Sequence, residues 1–377
     1  MKKLLFFSYV VFLFLFTFFS YLFIDPNLSY LKNLRSEFVF SHRLEISIGY
    51  VFLIIIHFVF YLIFLKMFKE KRLGKKDIKA VVVITCGVLL FSYPAMLSFD
   101  IFNYLLTAKV AFFYHENPYI IMPIQFLGDP MLAFTHGANK IALYGPSWIT
   151  ITSAPYLLGL GNFILTLLNF KLAILAFYLG TTWLIHKMSK DYVSVILFSL
   201  NPLVVIETLL GGHNDIVMMF FALLSFFLLS KKKAVAASIF ILISFLIKYS
   251  TFFLLPVFAY ALVKPNKKSI SWEKIYKVCA ILMFIAFILS PFKEEMYPWY
   301  AIWFLPFAAL SYKNKIILYI SLAFSFSLLL RYVPFMLLGT YFGPTPLIKI
   351  LATGVPVAVV SMYILIKEKL WLKKFFR

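Results

Sequence analysis

The sequence predicts an all-α polytopic membrane protein, and three observations support this fold class. Of its 377 residues, 63% are hydrophobic and only 14% are charged, whereas soluble domains average about 45–50% apolar residues. Long apolar stretches recur along the whole chain. The basic residues fall mostly in the short segments between these stretches, as is typical of polytopic membrane proteins.

About twelve apolar stretches are expected to cross the hydrocarbon core, which is ~30 Å thick. The first, MKKLLFFSYVVFLFLFTFFSYLFI, begins with basic residues but has no small-residue cleavage site after it. We therefore expect a retained span rather than a cleaved signal peptide. The twelve stretches lie near residues 4–24, 46–65, 80–97, 144–160, 163–185, 216–230, 234–247, 250–263, 275–291, 298–311, 316–332 and 347–366.

The net charge of +21 would suggest a nucleic-acid partner in a soluble protein. Here the basic clusters alternate with apolar spans, so they are better explained by the positive-inside rule, and we expect the bilayer rather than nucleic acid as the partner. The rule predicts that both termini are cytoplasmic. It also predicts that the polar segments 98–143, 209–216, 292–298 and 332–346 lie on the outer face.

One segment, 192–210, conflicts with this count of spans. If it crossed the membrane fully, His213 and the loop 98–143 would lie on opposite sides. Asn201-Pro202 interrupts the segment, and proline removes a helical hydrogen-bond donor. Each half is about 12 Å long at 1.5 Å per residue, too short to span. We therefore predict a re-entrant V that enters and leaves on the outer face, with a continuous kinked span as the alternative.

The longest segment predicted to lie outside the spans, 98–143, is too apolar for a free loop. Short helices on the outer surface of the membrane are expected there. Cys86 and Cys279 both lie in apolar stretches, so neither a disulfide framework nor a CxxC metal site is expected. The sequence lacks a P-loop, a GxGxxG motif, HExxH and a nucleophile elbow, and no cofactor is predicted.

Asp100 is the first candidate for chemistry. An ionisable residue in or beside a span is costly unless it is paired or hydrated, and Asp100 directly follows a predicted span. Asn103, Tyr104 and Thr107 lie three, four and seven residues later, which would give a polar stripe on a short helix. The alternative is a carboxylate that caps this helix.

The stretch LLGGHND, residues 209–215, places His213, Asn214 and Asp215 between two apolar runs. Asp215 could serve as the N-cap of the next helix, but this does not account for His213. A divalent metal bound by His213 and Asp215 is possible, but the sequence shows no spacing for the further ligands it would need. Glu207, deeper in the preceding segment, could pair with Lys171 or with a tyrosine.

Lys248 separates two apolar halves in LISFLIKYSTFFLLP. It could simply extend its ammonium towards the interface, or it could bind a phosphate as a point charge. Arg331 and Lys293 are weaker candidates on the same side. A carboxylate base beside an anion-binding cation suits the transfer of a group from a lipid phosphate to a hydroxyl.

These residues occur in an order that resembles the GT-C superfamily of integral-membrane glycosyltransferases, and most closely the polyprenyl-phosphate-mannose-dependent mannosyltransferases. The resemblance covers roughly residues 80–265. The motifs that carry it are Asp100, Asn117-Pro118-Tyr119, Tyr144-Gly145-Pro146, Asn201-Pro202, Gly212-His213-Asn214-Asp215, Ile247-Lys248-Tyr249 and Pro256. The resemblance implies a catalytic module over 80–265. Hydropathy and the basic clusters predict the other two parts, two N-terminal spans with a basic loop (1–79) and C-terminal spans with a basic tail (266–377), and spans 4–65 and the region after 275 match the family only in hydropathy.

The resemblance also implies an inverting transferase whose donor is a sugar on a polyprenyl phosphate, and mannose is the sugar expected for the family. Asp100 matches the position of the general base, although the second adjacent acid of many members is missing. Lys248 and His213 would contact the donor phosphate. The substrate cavity would then be lined by Asn103, Tyr104, Asn117, Tyr119, Tyr144, Glu207, Asn214 and Asp215.

Other functions remain open at this point. Broken helices and buried charges also mark secondary transporters and lipid flippases, although 266–377 does not repeat the pattern of 80–265. A ligase or polymerase of lipid-linked glycans would use a similar donor, but usually relies on outer-loop arginines, and only Arg35, Arg43 and Arg331 are available. The acceptor could be a glycan, a lipid or a protein.

Overall fold

In the computed structural model the described residues, 2–34, 38–264, 271–292 and 295–375, form helices joined by turns and loops and contain no β-strand. Helices account for 77% of the chain, which confirms the predicted all-α class. The α-helices are α1 (Lys2–Ser20), α2 (Phe38–Ser41), α3 (Arg43–Lys69), α4 (Lys75–Leu89), α5 (Asp100–Phe112), α6 (Pro146–Leu157), α7 (Phe163–Ser189), α8 (Tyr192–Ser199), α9 (Pro202–Val205), α10 (Asp215–Ser230), α11 (Ala234–Phe245), α12 (Leu255–Val263), α13 (Trp272–Leu289), α14 (Leu305–Leu310), α15 (Lys315–Leu330), α16 (Val333–Leu338) and α17 (Thr345–Phe375).

Six helical stretches of the described chain are long and apolar enough to cross a membrane: Lys2–Phe23, Arg43–Lys69, Phe163–Ser189, Trp272–Phe292, Lys315–Leu338 and Thr345–Lys367. A bent pair, Tyr192–Ser199 with Pro202–Leu210, would make a seventh. The predicted number of about twelve spans is therefore not confirmed. Several predicted spans are shorter apolar helices, including α10 and α11, and hydropathy alone does not separate these from full crossings.

Contacts between distant parts of the chain define two opposite ends of the helical bundle. At one end, called the basic end here, Lys2 pairs with Asp77 at 2.6 Å. The Lys75 ammonium lies 5.7 Å from the ring centre of Tyr192. The Tyr312 hydroxyl donates to Asp191. The N-terminal helix and the starts of α4, α8 and α15 therefore meet at the basic end.

The opposite end, called the site end, collects the segments that follow α1 and α4 and those that precede α7 and α10. Tyr30 stacks on Phe163 with ring centres 4.3 Å apart, and Phe102 lies 6.1 Å from the same ring. His213 lies 3.5 Å from Asp100. The start of α7 and the end of the bent pair, 192–210, therefore both lie at the site end.

These contacts correct the predicted re-entrant V. The segment 192–210 begins at the basic end, at Tyr192, and reaches the site end just before His213. It is bent by 56° at the break, so the chain changes direction without turning back. The segment is thus a kinked crossing, which was the alternative interpretation.

The segment that does not cross is instead 144–160, which was predicted to be a span. It contains α6, whose 12 residues extend about 18 Å at 1.5 Å per residue. The chain enters α6 at the site end, where the Gly145 amide donates to the Ile247 carbonyl at 3.1 Å. It leaves towards Phe163, which is also at the site end. A helix this short with both ends on one side does not traverse a ~30 Å core.

The break in the kinked crossing is stabilised by side chains, because an unpaired backbone group inside a membrane costs free energy. The Asn201 carboxamide oxygen accepts a hydrogen bond from the Leu203 amide at 3.0 Å. Its nitrogen donates to the Ser325 hydroxyl at 3.0 Å. After the break the chain continues as a π-helical turn, Ile206–Leu210, a geometry often found at functional sites.

Segment 98–143 contains short helices, as predicted, but its main helix is not a surface helix. In α5, Ile101, Phe102 and Leu105 are at most 1% exposed, so α5 packs into the bundle. The 3-10 turns Pro123–Gln125 and Pro130–Ala133 follow. Asp129, whose carboxylate pairs with Lys109 at 2.7 Å, fastens this loop to α5.

Candidate active site

Asp100 is the first residue of α5, and its carboxylate lies at the site end of the bundle. The N-cap position is occupied by Phe99, and the Asp100 amide donates a hydrogen bond to the Ser98 hydroxyl at 3.3 Å. The alternative that Asp100 caps α5 is therefore not what the structure shows. Its side chain is 24% exposed and points at the segment that carries His213.

A tight turn at Gly211-Gly212 brings that segment against α5. Gly212 has a φ of +72°, a conformation that glycine adopts without strain. A Cβ at Gly212 would lie 2.8 Å from Ile101 Cδ1, so a larger residue would have to displace the tip of that side chain as well as adopt the strained backbone conformation. The glycine thus explains how His213 comes to lie beside the start of α5.

His213 is completely buried between two carboxylates and an indole. Its Nδ1 lies 3.5 Å from Asp100 Oδ2, and its Nε2 lies 3.3 Å from Glu207 Oε2. The imidazole stacks on Trp299, with ring centres 4.0 Å apart and planes 12° apart. Burial and stacking fix the orientation of the ring and so present one nitrogen to each acid.

Glu207, from the π-helical turn, is fully buried and pairs with a tyrosine, one of the two predicted possibilities. The Tyr332 hydroxyl donates to Glu207 Oε1 at 3.0 Å. Lys171 does not pair with Glu207. Its ammonium instead donates to the Leu89 carbonyl at 3.0 Å and to the carbonyl and hydroxyl of Ser92, just before the segment that leads to Asp100.

Asp215 and Lys248 form the second half of the site. Asp215 is fully buried at the start of α10, where the helix dipole favours a negative charge. Its Oδ1 accepts hydrogen bonds from Lys248 at 2.9 Å and from the Trp303 indole at 2.5 Å. The ammonium lies 4.6 Å from the ring centre of Tyr300. Lys248 is thus paired inside the protein instead of extending to the interface, and Asp215 does not cap α10.

Two of the short motifs that carry the resemblance, Tyr144-Gly145-Pro146 and Ile247-Lys248-Tyr249, contact each other beside Lys248. The amide of Gly145 donates to the Ile247 carbonyl, and the amide of Ser147 donates to the Leu246 carbonyl, both at 3.1 Å. A Cβ at Gly145 would lie 2.0 Å from the Leu246 carbonyl oxygen. Only glycine fits this close approach of two backbones, and the approach sets the position of Lys248.

A row of tyrosines connects the buried cluster to the surface. The Tyr104 hydroxyl donates to Asn214 Oδ1 at 3.3 Å, and burial raises the pKa of Tyr104 well above its usual range. The Tyr104 ring lies edge-on to Tyr144, with centres 4.9 Å apart. The Tyr119 hydroxyl donates to the Tyr144 carbonyl at 2.8 Å. These predicted lining residues are therefore in contact with one another.

Two other predicted residues lie outside the buried cluster. Asn117 is exposed, and its side chain accepts a hydrogen bond from the Tyr119 amide at 3.0 Å, which makes it a turn residue. Asn103 accepts from the Gly137 amide at 3.1 Å and faces a separate surface depression. Lys293 and Arg35 lie outside the described residues. Arg331 pairs with Glu295 at 2.9 Å.

Sequence reasoning missed the aromatic wall of the site. Trp299, Tyr300 and Trp303 belong to the 3-10 helix Pro298–Trp303, and Tyr332 precedes α16. All four come from the C-terminal part of the chain, where the resemblance rested on hydropathy alone. The stretch MYPWYAIWFLP holds two of the six tryptophans, and this density was the available signal.

Several buried polar atoms of the cluster have no hydrogen-bond partner among the described residues: Glu207 Oε2, both ring nitrogens of His213, Asn214 Nδ2 and Asp215 Oδ2. The His213 nitrogens are close to carboxylates, but their geometry falls short of a hydrogen bond. Buried polar groups are normally paired, so this concentration of unpaired atoms sets the cluster apart from an ordinary helical core. Over the same residues, no group of three or more His, Cys, Asp and Glu side chains is arranged to hold a metal ion.

Comparison with known proteins places this geometry in context. The model of a family described as alpha-(1->6)-mannopyranosyltransferase, N-terminal domain, matches residues 25–264. This range contains Asp100, Glu207, His213, Asp215 and Lys248, and it ends before the aromatic wall. Searches of curated proteins and of solved structures gave no match.

Proposed function

The chain belongs to the alpha-(1->6)-mannopyranosyltransferase family, whose members are GT-C mannosyltransferases, and on this premise we propose that it moves mannose from a polyprenyl phosphate to an acceptor hydroxyl. The family makes the protein a multi-pass membrane glycosyltransferase with a sugar donor and a glycan acceptor. The alternative of a transporter or flippase gains no support from a family whose described activity is sugar transfer.

The proposed reaction is a single displacement with inversion. The acceptor oxygen attacks the anomeric carbon on the face opposite the phosphate. As the new C–O bond forms, the bond from the anomeric carbon to the phosphate oxygen breaks, and polyprenyl phosphate leaves with the electron pair. Asp100 takes the proton from the acceptor hydroxyl as general base. The proposed reaction uses neither a cofactor nor a metal ion bound by side chains of the protein.

One observation carries the role of Asp100. Three carboxylates lie in the cluster, and Glu207 and Asp215 have fully buried side chains, whereas Asp100 is 24% exposed. A general base must come within hydrogen-bond reach of the hydroxyl that it deprotonates, and only Asp100 offers a substrate such access. His213, which lies 3.5 Å from Asp100 Oδ2, would orient the carboxylate.

Lys248 is the proposed partner of the donor phosphate. Its side chain is 18% exposed, and an ammonium has three donors, of which one is used by Asp215. Since Asp215 neutralises this cation, the phosphate would share Lys248 with that carboxylate. The Lys248 charge would then stabilise the charge that develops on the leaving oxygen.

The test is mannose transfer from a radiolabelled polyprenyl-phosphate mannose by purified protein, assayed in the presence of EDTA. We expect Asp100→Asn to lower kcat by about 10²–10⁴-fold, the usual contribution of a general base. The matched control is Glu116→Gln, which removes an exposed acid from the same outer segment. Wild-type rates in Asp100→Asn would remove Asp100 from the role of base. Absence of transfer by the wild type would refute the donor.

We also propose that the basic end is cytoplasmic and that the site end faces outwards. The two natural cysteines are buried, so a membrane-impermeant maleimide should report on introduced cysteines. In intact cells we expect labelling of Lys140→Cys at the site end, and labelling of Lys231→Cys, at the end of α10 far from Asp215, only after permeabilisation. The reverse pattern would place the active site on the cytoplasmic side.

A further inference from the structure

A polar depression lies beside the buried cluster, and the proposed mechanism does not use it. It is shallow and opens at the surface of segment 98–143, so a ligand would lie against it with one face and would not be enclosed. Its polar lining comes from Asn103, Thr107, Thr135, Lys140 and Tyr144.

The lining offers hydrogen-bonding groups suited to a sugar. Asn103 uses its oxygen for the Gly137 amide at 3.1 Å, and among the described residues its nitrogen has no partner. The Thr107 hydroxyl likewise makes no hydrogen bond to any described residue. Lys140 is exposed and has no ion pair within the described chain. Donors and acceptors spaced around a small depression match a ring that carries hydroxyls on several sides.

The depression is aligned with the proposed base. Asp100, Asn103 and Thr107 lie at positions i, i+3 and i+7 of α5, which share one face of a helix. At 1.5 Å per residue, the polar groups of Asn103 and Thr107 begin about 4.5 and 10.5 Å along the helix from Asp100. A chain of sugars whose terminal hydroxyl reaches Asp100 would run along this face into the depression.

The opposite wall is tied to the buried cluster. Tyr144 lines the depression and packs edge-on against Tyr104, whose hydroxyl bonds to Asn214. The wall is therefore connected through Tyr104 to the segment that carries His213. A ligand in the depression would be held at a fixed distance from the catalytic carboxylate.

We infer that this depression binds the second sugar of the acceptor glycan, the one behind the sugar whose hydroxyl is mannosylated. The inference rests on the proposed function. It makes the enzyme selective for an acceptor of at least two sugars, because a single sugar would occupy the position at Asp100 and leave these hydrogen bonds unmade.

The test compares two acceptors, methyl α-mannopyranoside and the methyl glycoside of α-1,6-linked mannobiose. We expect the wild type to have a higher kcat/KM for the disaccharide. Thr107→Val and Lys140→Met should each lower this preference by roughly two- to tenfold, the effect of one lost hydrogen bond. The matched control is Thr150→Val, because Thr150 is exposed on α6 and its hydroxyl only meets the Pro146 carbonyl.

Three outcomes would overturn the inference: a wild type without preference for the disaccharide, a preference that survives both substitutions, or an equal loss in Thr150→Val. In a second experiment, the donor concentration is varied at saturating disaccharide for the wild type, Thr107→Val and Lys140→Met. If the two variants had a raised KM for the donor and an unchanged KM for the acceptor, the depression would hold the donor sugar.

A separate measurement keeps this inference distinct from the proposed function. Saturation-transfer difference NMR can record binding of α-1,6-linked mannobiose to the detergent-solubilised protein without any turnover. If the wild type transfers no mannose but binds mannobiose, and Thr107→Val weakens that binding, the donor proposal fails and the sugar site stands. Equal binding by both proteins would refute the sugar site.

Discussion

Two histidines at the site end each stack on an aromatic ring and lie close to an aspartate, but they differ in how deeply they are buried. His213 stacks on Trp299 with ring centres 4.0 Å apart and lies 3.5 Å from Asp100. His136 stacks on Phe99 at 3.9 Å and lies 3.9 Å from Asp25. The side chain of His136 is 60% exposed, whereas that of His213 is fully buried.

The difference lies in what surrounds the pair of ring and acid. Water screens the contact between His136 and Asp25, and surface ion pairs contribute little, about 0–1 kcal/mol. His213 has a second carboxylate, Glu207, at 3.3 Å and little water around it, so its interactions act at a lower effective dielectric constant. A stacked histidine beside an aspartate is therefore a surface brace in one place and part of a candidate active site in the other.

Among the substitutions that test this comparison, the largest effect is expected when each histidine is exchanged for phenylalanine, which keeps the aromatic stack and removes both nitrogens. His213→Phe should lower kcat about a hundredfold, because a misplaced catalytic group costs about that much and Asp100 would lose its neighbour. His136→Phe should leave kcat within about twofold, since solvent already competes for its weak contact. Both are measured as mannose transfer from the lipid-linked donor.

Thermal stability of both variants is measured alongside, so that a fall in kcat can be separated from misfolding. Equal rates in the two variants would mean that burial does not distinguish the histidines, and that His213 is only a packing residue. A loss of transfer confined to His136→Phe would move the functional centre to the surface loop.

The sequence was informative about these two histidines because of the residues around them. His213 follows Gly211-Gly212 between apolar runs, and a turn or a helix cap explains the glycines and Asp215 but not the imidazole. The structure shows the reason for the second glycine, since the turn at Gly212 has a φ of +72°, which glycine adopts without strain. His136 gave no such signal, because a polar residue in a segment predicted to lie outside the spans needs no explanation.

The topology was harder to predict because hydropathy reports how apolar a segment is and not where its ends lie. Segment 144–160 is as apolar as a span, yet α6 returns to the site end. Segment 192–210 looked interrupted, yet it crosses, because Asn201 satisfies the backbone at its own break. Each motif could be recognised from neighbouring residues in the sequence. The true paths of 144–160 and 192–210 depend on contacts between distant segments, which the sequence alone does not show.

The same limit explains why the sequence did not predict the aromatic wall of the site. Trp299 and Tyr332 reach the site from 86 and 119 positions further along the chain, and no local spacing connects them to Glu207 or His213. Their partners were predicted because unpaired charges in apolar segments are conspicuous. Aromatic residues in an apolar chain are not conspicuous, so only the fold identifies them.

The smallest effect is expected from Tyr332→Phe. This substitution would make His213 more similar to His136, because Glu207, the second carboxylate beside His213, would no longer be held in place by the tyrosine hydroxyl. The substitution removes the hydrogen bond to Glu207 Oε1, 3.0 Å long, and leaves a buried acceptor unpaired. We expect a loss of about 1–2 kcal/mol in stability, and a fall in kcat of roughly threefold, because Glu207 acts on Asp100 only through His213.

Tyr312→Phe is the matched control for Tyr332→Phe. Its hydroxyl donates to Asp191 Oδ2 at 2.5 Å, also a bond from tyrosine to carboxylate, but at the basic end. It should lower thermal stability by a similar or smaller amount and leave kcat unchanged. If the two variants lose activity in proportion to their stability alone, the bond from Tyr332 to Glu207 is a brace like the one at the basic end. If only Tyr332→Phe slows transfer, the second carboxylate is what separates His213 from His136.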